Sequence, residues 1–198
     1  MYLYIANYYI TNLYQMKTIT SKVIGDLTQD EEFNNWWHAE FIPIPFFDNT
    51  RLCVTMVGFT PGQDYFFLQQ ADEALSNFLQ KGKDDRLAIS SFVFDNLEDF
   101  KCAAGTSSLS EELKELENEQ SIWNFVTPHG ITVQRRHRRD QDIYISISLN
   151  CEWEEEHGLQ LVFRQGKKLT RVSSLDGHLT DADAYGLSDD KDKLLSAY

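Results

Sequence analysis

The chain has 198 residues, 42% of them hydrophobic and 13% aromatic, which is enough for a buried core and excludes a wholly disordered protein. Its 18 basic side chains are outnumbered by 31 acidic ones, and the net charge of −13 disfavours nucleic acid and anionic membranes as partners. No apolar run approaches the ~18 residues of a membrane span. The three cysteines are widely spaced, which fits reduced thiols and a cytoplasmic location.

The composition divides the chain into three segments. Residues 1–16 are predicted to be an N-terminal extension outside the fold, because they lack the regions of a signal peptide and Met16 opens a more ordinary beginning. Residues 17–186 are predicted to form a single α+β domain. Residues 187–198 are predicted to be an acidic C-terminal tail.

The first third of the domain predicts a β-hairpin that follows a polar loop at residues 23–32. Residues 36–47 alternate apolar and polar side chains, until Pro43 and Pro45 confine the segment to a sheet edge. A turn follows at Asp48, and residues 52–59 form a β-branched second strand. We expect these two strands to pair.

The middle third changes to helical periodicity. Apolar side chains three and four residues apart predict helices over residues 65–80 and 85–101. A capping-box pattern that starts at Ser108 precedes a third, acidic helix over residues 110–120. This helix has few apolar positions, so we expect it to lie on the surface.

The last third predicts an antiparallel β-meander of about four strands. The strongest signal is at residues 143–153, where odd positions are apolar or buriable and even positions are largely polar. The other strands begin at Ile131 or cover residues 159–164 and 169–173. The predicted fold class is therefore α+β, with an N-terminal β-hairpin, two to three helices and a C-terminal meander.

An acidic turn at residues 154–158 is the densest chemical feature of the sequence. Carboxylates beside an imidazole can act as acid and base or as metal ligands. A solvated turn whose charge discourages edge-to-edge pairing explains the same residues. We predict a candidate ligand or partner site that combines this turn with two residues beyond the last hairpin, which are expected to converge on it. The site comprises Trp153, Glu154, Glu156, His157, Asp176 and His178.

A basic tract at residues 135–139 has two interpretations. It could contact phosphate or nucleic acid, but the net charge and the lack of interleaved aromatic residues make nucleic acid an unfavourable partner. Pairing with the acidic tracts of the same chain is the preferred interpretation, with little stabilisation from each exposed pair.

Metal and cofactor motifs are weak or missing from the sequence. Aspartates fall at EF-hand-like positions at Asp181, Asp183 and Asp192, but Tyr185 stands where an oxygen ligand belongs. The histidines lack zinc-site spacing, and there is no phosphate-binding loop or serine-hydrolase motif. We predict no metal, no cofactor and no catalytic residues, so an enzymatic role is disfavoured.

Several motifs resemble those of a bacterial domain family of unknown function. They are I-W-N-F-V-T-P at residues 122–128, D-Q-D-I-Y-I at 140–145, C-E-W-E-E-E-H-G-L-Q-L-V-F at 151–163 and D-G-H-L-T-D-A-D-A-Y at 176–185. The family signature is W-E-x-E-H-G-L-Q-L. The resemblance covers about residues 17–186, implies an α+β domain in a soluble bacterial protein, and implies no catalytic residues.

These observations favour a non-enzymatic interaction domain that binds a basic protein partner, as immunity proteins mask toxins. Complementary charge speeds such association, and residues 111–119 and 152–156 form two acidic surfaces. The alternative is a metal- or small-ligand-dependent activity centred on residues 154–157. The sequence leaves the oligomeric state open.

Overall fold

The structure of the protein is a computed structural model that describes residues 17–196. The predicted extension at residues 1–16 and the last two residues of the predicted tail lie outside the described residues. The predicted α+β class is confirmed, because helices accompany one eight-stranded sheet and a separate two-stranded one. No helix in the described range is long and apolar enough to cross a membrane.

Ten strands are present within residues 17–196. They are β1 Thr18–Ser21, β2 Gly25–Gln29, β3 Trp36–Ala39, β4 Ile42–Ile44, β5 Thr50–Leu52, β6 Val54–Val57, β7 Val126–Arg135, β8 Ile143–Cys151, β9 Leu159–Arg164 and β10 Lys168–Ser173. The large sheet has the order β1-β2-β3-β6-β7-β8-β9-β10, and β4 pairs with β5 alone. All neighbouring strands are antiparallel except β6 and β7, which are parallel.

The α-helices of the same range lie between β6 and β7 or after β10. They are α1 Phe67–Leu79, α2 Lys83–Ala88, α3 Ser90–Ala104, α4 Glu111–Lys114, α5 Asp181–Tyr185 and α6 Lys193–Ser196. Short 3-10 helices occur at Pro45–Phe47, Glu119–Phe125 and Asp189–Lys191. The segment from α1 to α4 provides the crossover connection that a parallel pair of strands requires.

The N-terminal strands only partly match the expectation. β3 and β6 pair antiparallel, with Trp36 opposite Val57, but the predicted hairpin is matched only in part, because β4 and β5 form a separate pair between them. Residues 23–32 were expected to form a loop, and that expectation is wrong, because β2 lies within them and joins β1 to β3. Leu27 is the one fully buried side chain of β2, which is too weak an apolar pattern to indicate a strand.

The helices agree with the periodicity where the apolar stripe is long. The first predicted helix is confirmed as α1. The second is divided into α2 and α3 at Ile89. The third was predicted too long, because α4 ends at Lys114 and its N-cap is Ser110, whose side chain accepts the Leu113 N–H at 3.3 Å. With few apolar positions to bury, this segment gains little from further helical turns.

The four C-terminal strands pair antiparallel in sequence order, as a meander does. They are not a separate unit, which differs from the expected arrangement. β7 also pairs in parallel with β6, with Val54 opposite Ile131, so the N-terminal and C-terminal strands of the described range belong to one sheet. A parallel pairing carries no local sequence signal, and the prediction could not include it.

The two faces of the sheet are covered differently. One face carries Ile145 and Ile147 into the main apolar core, where Phe46, Phe78 and Phe163 meet with ring centroids 5.4 to 5.8 Å apart. On the other face Tyr144 and Val162 pack with Leu179, which belongs to the segment after β10. Further along that segment Asp192 and Leu195 are buried, so residues beyond 186 take part in the packing. The proposed domain boundaries remain predictions.

Candidate functional site

The acidic turn connects β8 to β9, beyond the last ladder pair of Leu149 and Leu159. Trp153 enters the core at the start of this turn and is only 3% exposed. Its indole Nε1–H donates to Oδ1 of Asn96 on α3 at 3.0 Å. The turn is therefore held against a helix by a buried anchor rather than projecting freely.

The carboxylates of the turn point largely into solvent. Oε1 of Glu154 lies 3.5 Å from Nδ1 of His157 and accepts the His157 backbone N–H at 3.4 Å. Glu155 and Glu156 are exposed, and the His157 side chain is 58% exposed. Among residues 17–196 no group of three or more His, Cys, Asp or Glu side chains is arranged to hold a metal ion. The turn therefore presents exposed carboxylates at the surface.

The thiol beside the turn is buried. Cys151 is buried at the end of β8, and its Sγ donates to the backbone carbonyl of Glu154 at 3.6 Å. Burial raises the pKa of the Cys151 thiol to about 11. The raised pKa favours the protonated thiol over the thiolate, which is the reactive form. Cys151 therefore packs as a small apolar side chain.

Asp176 and His178 lie together around a buried glutamine. Nε2 of Gln160 donates to Oδ1 of Asp176 at 2.8 Å and to the His178 backbone carbonyl at 3.1 Å. Gln160 is opposite Ser148 and Ser173, close to where β9 leaves the acidic turn. The acidic turn and the pair Asp176 and His178 therefore lie towards the same end of the sheet. Within the described range, however, no hydrogen bond or ion pair joins Asp176 or His178 to residues 154–157. Their convergence into one site stays a prediction.

The second acidic surface leads directly to the turn. Residues 111–119 continue into the 3-10 helix at Glu119–Phe125, and the Phe125 carbonyl accepts the backbone N–H of Glu152 at 3.1 Å. We call the surface formed by Glu152, Glu154, Glu155 and Glu156 the acidic face.

Three arginines of the basic tract are paired within the protein, but their partners are not the acidic tracts that the preferred interpretation predicts. Arg135 Nε binds Asp64 at 2.7 Å, and Nη2 of Arg136 binds both Asp183 and Asp189 at 2.8 Å. Asp64 precedes α1, Asp183 belongs to α5, and Asp189 belongs to the 3-10 helix at Asp189–Lys191. Arg136 has only 3% of its side chain exposed, so the pairing is more than a surface contact.

The electrostatics of this network are set by burial and by hydrogen bonds. Burial opposes the charged form of Arg136, but the hydrogen bonds from its guanidinium to Asp183 and Asp189 outweigh burial and raise its pKa. The hydrogen bond from Arg136 lowers the pKa of Asp189. The Arg136 guanidinium and the Asp189 carboxylate are therefore both charged at neutral pH.

The aspartates at EF-hand-like positions are also engaged by the protein itself. Asp181 binds Nη1 of Arg171, a guanidinium that is 3% exposed, and Asp183 binds Arg136. The two Asp192 carboxylate oxygens each accept a backbone N–H at 2.8 Å, from Ala182 and from Leu195. The segment folds as the short helix α5 followed by a 3-10 helix, whereas the sequence indicated only a polar turn.

The side chains of Asp30, His38 and Thr55 form a hydrogen-bonded series that the sequence analysis did not identify. Nε2 of His38 contacts Oδ2 of Asp30 at 2.8 Å, and Nδ1 contacts Oγ1 of Thr55 at 3.0 Å. The hydrogen bond from the Phe33 backbone N–H lowers the pKa of the Asp30 carboxyl most, and the hydrogen bond with His38 lowers it further. A hydroxyl beside an oriented imidazole resembles a nucleophile with its base. Thr55 lies in a strand paired on both sides, so its neighbouring N–H groups serve the sheet and are not free to stabilise an oxyanion.

Comparison with known proteins gives a family and no activity. A family model described as "Domain of unknown function (DUF6985)" matches residues 23–179, so the chain belongs to this family. No curated protein and no solved structure matches the chain. The resemblance to a domain family of unknown function is thereby confirmed, while the signature motif and the bacterial origin stay predictions.

Proposed function

We propose that this member of the DUF6985 family is a non-enzymatic interaction domain that binds a basic protein partner through the acidic face. The observation that carries the proposal is the hydrogen bond from buried Trp153 to Asn96, which fixes the turn against α3. A surface that is already ordered loses less conformational entropy on binding than a loose loop does. Trp153 positions the face, and the carboxylates contact the partner.

The distribution of ion pairs supports this proposal. The basic side chains Arg135, Arg136 and Arg139 are paired with aspartates of the same chain. In contrast, the acidic turn has one ion-pair contact in the described range, between Glu154 and the exposed His157. A basic partner would therefore meet carboxylates that are not neutralised internally, and their field would speed its approach.

The remaining predicted site residues are proposed to extend the same surface. Glu156 and His157 are exposed on the turn, and Asp176 and His178 lie towards the same end of the sheet. We propose that binding takes place in the bacterial cytoplasm, with which the free cysteines of the described range are compatible.

The alternative, a metal- or small-ligand-dependent activity on the turn, would use Glu154 and His157, which lie 3.5 Å apart. We favour a protein partner because small-ligand sites are concave and bury most of the ligand. The His157 ring, at 58% exposure, offers an open surface instead.

The proposal is tested by immobilising the full chain and recovering partners from an extract of the source cell at low salt. We expect a basic protein that elutes as the salt concentration rises, since screening weakens exposed charge pairs. The test is repeated with Glu155→Gln/Glu156→Gln, which should recover less of the same protein. Recovery of no salt-released protein contradicts the proposal.

A further inference from the structure

A cleft of about 580 Å³ lies between the hairpin of β4 and β5, helix α2 and the 3-10 helix at Glu119–Phe125. This volume falls within the range of small-molecule sites. The side chains that matter here are basic, aromatic, amide or hydroxyl groups, namely Lys83, Arg86, Asn118, Ser121, Trp123 and Asn124.

Arg86 is held rigidly at this cleft. Its Nη2 binds Asp48 at 2.7 Å, its guanidinium carbon lies 5.7 Å from the centre of the Trp123 ring, and only 11% of its side chain is exposed. Trp123 is fixed in turn, because its Nε1–H donates to Oγ of Ser90 at 2.8 Å. A guanidinium stacked on an aromatic ring and paired at one nitrogen keeps further N–H donors in a defined direction.

Lys83 adds a second positive charge. It lies three residues before Arg86 on α2, so both side chains extend from the same side of the helix. Lys83 is exposed, and no ion pair to it is present within residues 17–196. These two cations outnumber the one carboxylate that lines the cleft, Asp48, and because Asp48 pairs with Arg86, Lys83 leaves the cleft with a net positive charge.

The rest of the lining suits hydroxyl groups. Ser121 and Asn124 present a hydroxyl and an amide at the cleft, and such groups both donate and accept hydrogen bonds. The Asp48 carboxylate can accept from a ligand hydroxyl while it remains bound to Arg86. The lining therefore combines an anion-binding pair with groups that recognise a polyol.

We infer that this cleft binds a small polyhydroxylated anion, either a sugar phosphate or a sugar acid. The anionic group would lie between Lys83 and Arg86, and the ligand hydroxyls would contact Ser121 and Asn124. None of the acidic-face residues lines this cleft, so the protein would combine a ligand site with a distinct partner-binding surface.

Isothermal titration of the full chain with glucose 6-phosphate, gluconate, glucose and inorganic phosphate tests the inference. We expect glucose 6-phosphate or gluconate to bind, and the tighter of the two identifies phosphate or carboxylate as the preferred group. Lys83→Met should weaken that binding about tenfold, the usual effect of losing one charge-assisted hydrogen bond. Lys167→Met, at the exposed turn between β9 and β10, removes the same charge and should leave binding unchanged.

Three results would overturn the inference. One is the absence of binding by either anion at millimolar concentration. Another is an equal loss of affinity in the Lys83 and Lys167 variants, because that would reflect net charge alone. The third is binding of inorganic phosphate as tightly as glucose 6-phosphate, because the hydroxyl contacts would then contribute nothing.

Discussion

The indole of Trp153 and the amide of Asn96 are joined by a 3.0 Å hydrogen bond although 57 positions separate them in the chain. This contact connects the turn after β8 to the middle of α3. Since the indole is buried, its N–H cannot form a hydrogen bond to water if the amide is removed. The position of the acidic face therefore depends on this pair.

Asn96→Ala should lower the free energy of unfolding by about 1–3 kcal/mol, because it leaves a buried indole N–H without an acceptor. Urea denaturation at neutral pH measures the change. The control is Asn150→Ala, at an exposed position of β8, which we expect to change stability by less than about 0.5 kcal/mol. Equal effects of the two substitutions would show that the Trp153 contact is not special.

Gly166→Ala should be much more destabilising than Gly177→Ala. Both glycines have positive φ, 68° and 78°, so alanine costs about 1–2 kcal/mol of backbone strain at either position. Only at Gly166 would the new methyl group also collide with the Ala74 carbonyl oxygen and lie 2.9 Å from the Phe78 nitrogen on α1. We expect a total loss of about 3 kcal/mol or more at Gly166. Similar thermal unfolding of the two variants would contradict the close packing of this turn on α1.

Arg136→Met should destabilise the protein by about 3 kcal/mol, because Asp183 and Asp189 lose the buried cation that they share. The neighbouring Arg138 is exposed and has no ion pair in the described range, so Arg138→Met should cost less than about 0.5 kcal/mol. Urea denaturation of both variants compares two arginines of one tract. A small effect at Arg136 would mean that methionine packing replaces the ion pairs.

Asp189 contributes to stability in a pH-dependent way. The hydrogen bond from Arg136 holds its folded pKa below the ordinary value of 3.8. Its stabilisation is therefore fully present above the unfolded pKa and is lost as the pH falls through the folded pKa. We expect the stability difference between the wild type and Asp189→Asn to be constant from pH 7 to about pH 5 and to shrink below about pH 4. A difference that grows in acid would contradict this assignment.

The elements that sequence periodicity predicted well are those with long apolar patterns. Helix α1 buries Phe67, Leu75 and Phe78 at helical spacing, and β8 buries Ile143, Ile145 and Ile147 at strand spacing. Short polar strands such as β2 lack such a pattern. The parallel pairing of β6 with β7 depends on the packing of the whole crossover segment, and no local pattern could have revealed it.

Sequence analysis could predict where the candidate site lies in the chain, but not the contacts that its residues make. The acidic turn is visible in the sequence, but its contact with Asn96 depends on where α3 packs. Likewise, Arg136 meets Asp183 and Asp189 across 47 and 53 positions. The contacts of His38 with Asp30 and Thr55 arise from the pairing of β3 with β6 and from a loop before β3. Spacing in the sequence encodes none of these tertiary distances.

The most direct measurement for the central proposal is the affinity of the partner recovered at low salt for two variants that lose the same charge. One variant neutralises the acidic face by Glu152→Gln, Glu155→Gln and Glu156→Gln. The other neutralises exposed carboxylates elsewhere by Glu31→Gln, Glu32→Gln and Glu40→Gln. Calorimetry with the purified partner gives both dissociation constants.

We predict that the acidic-face variant binds at least about tenfold more weakly than the wild type, because several contacts to the partner's cations are lost together. The matched variant should bind within about twofold of the wild type, since it changes only the long-range field. Equal weakening in both variants would contradict the account, because net charge alone would then attract the partner and the turn held by Trp153 would not be its binding site.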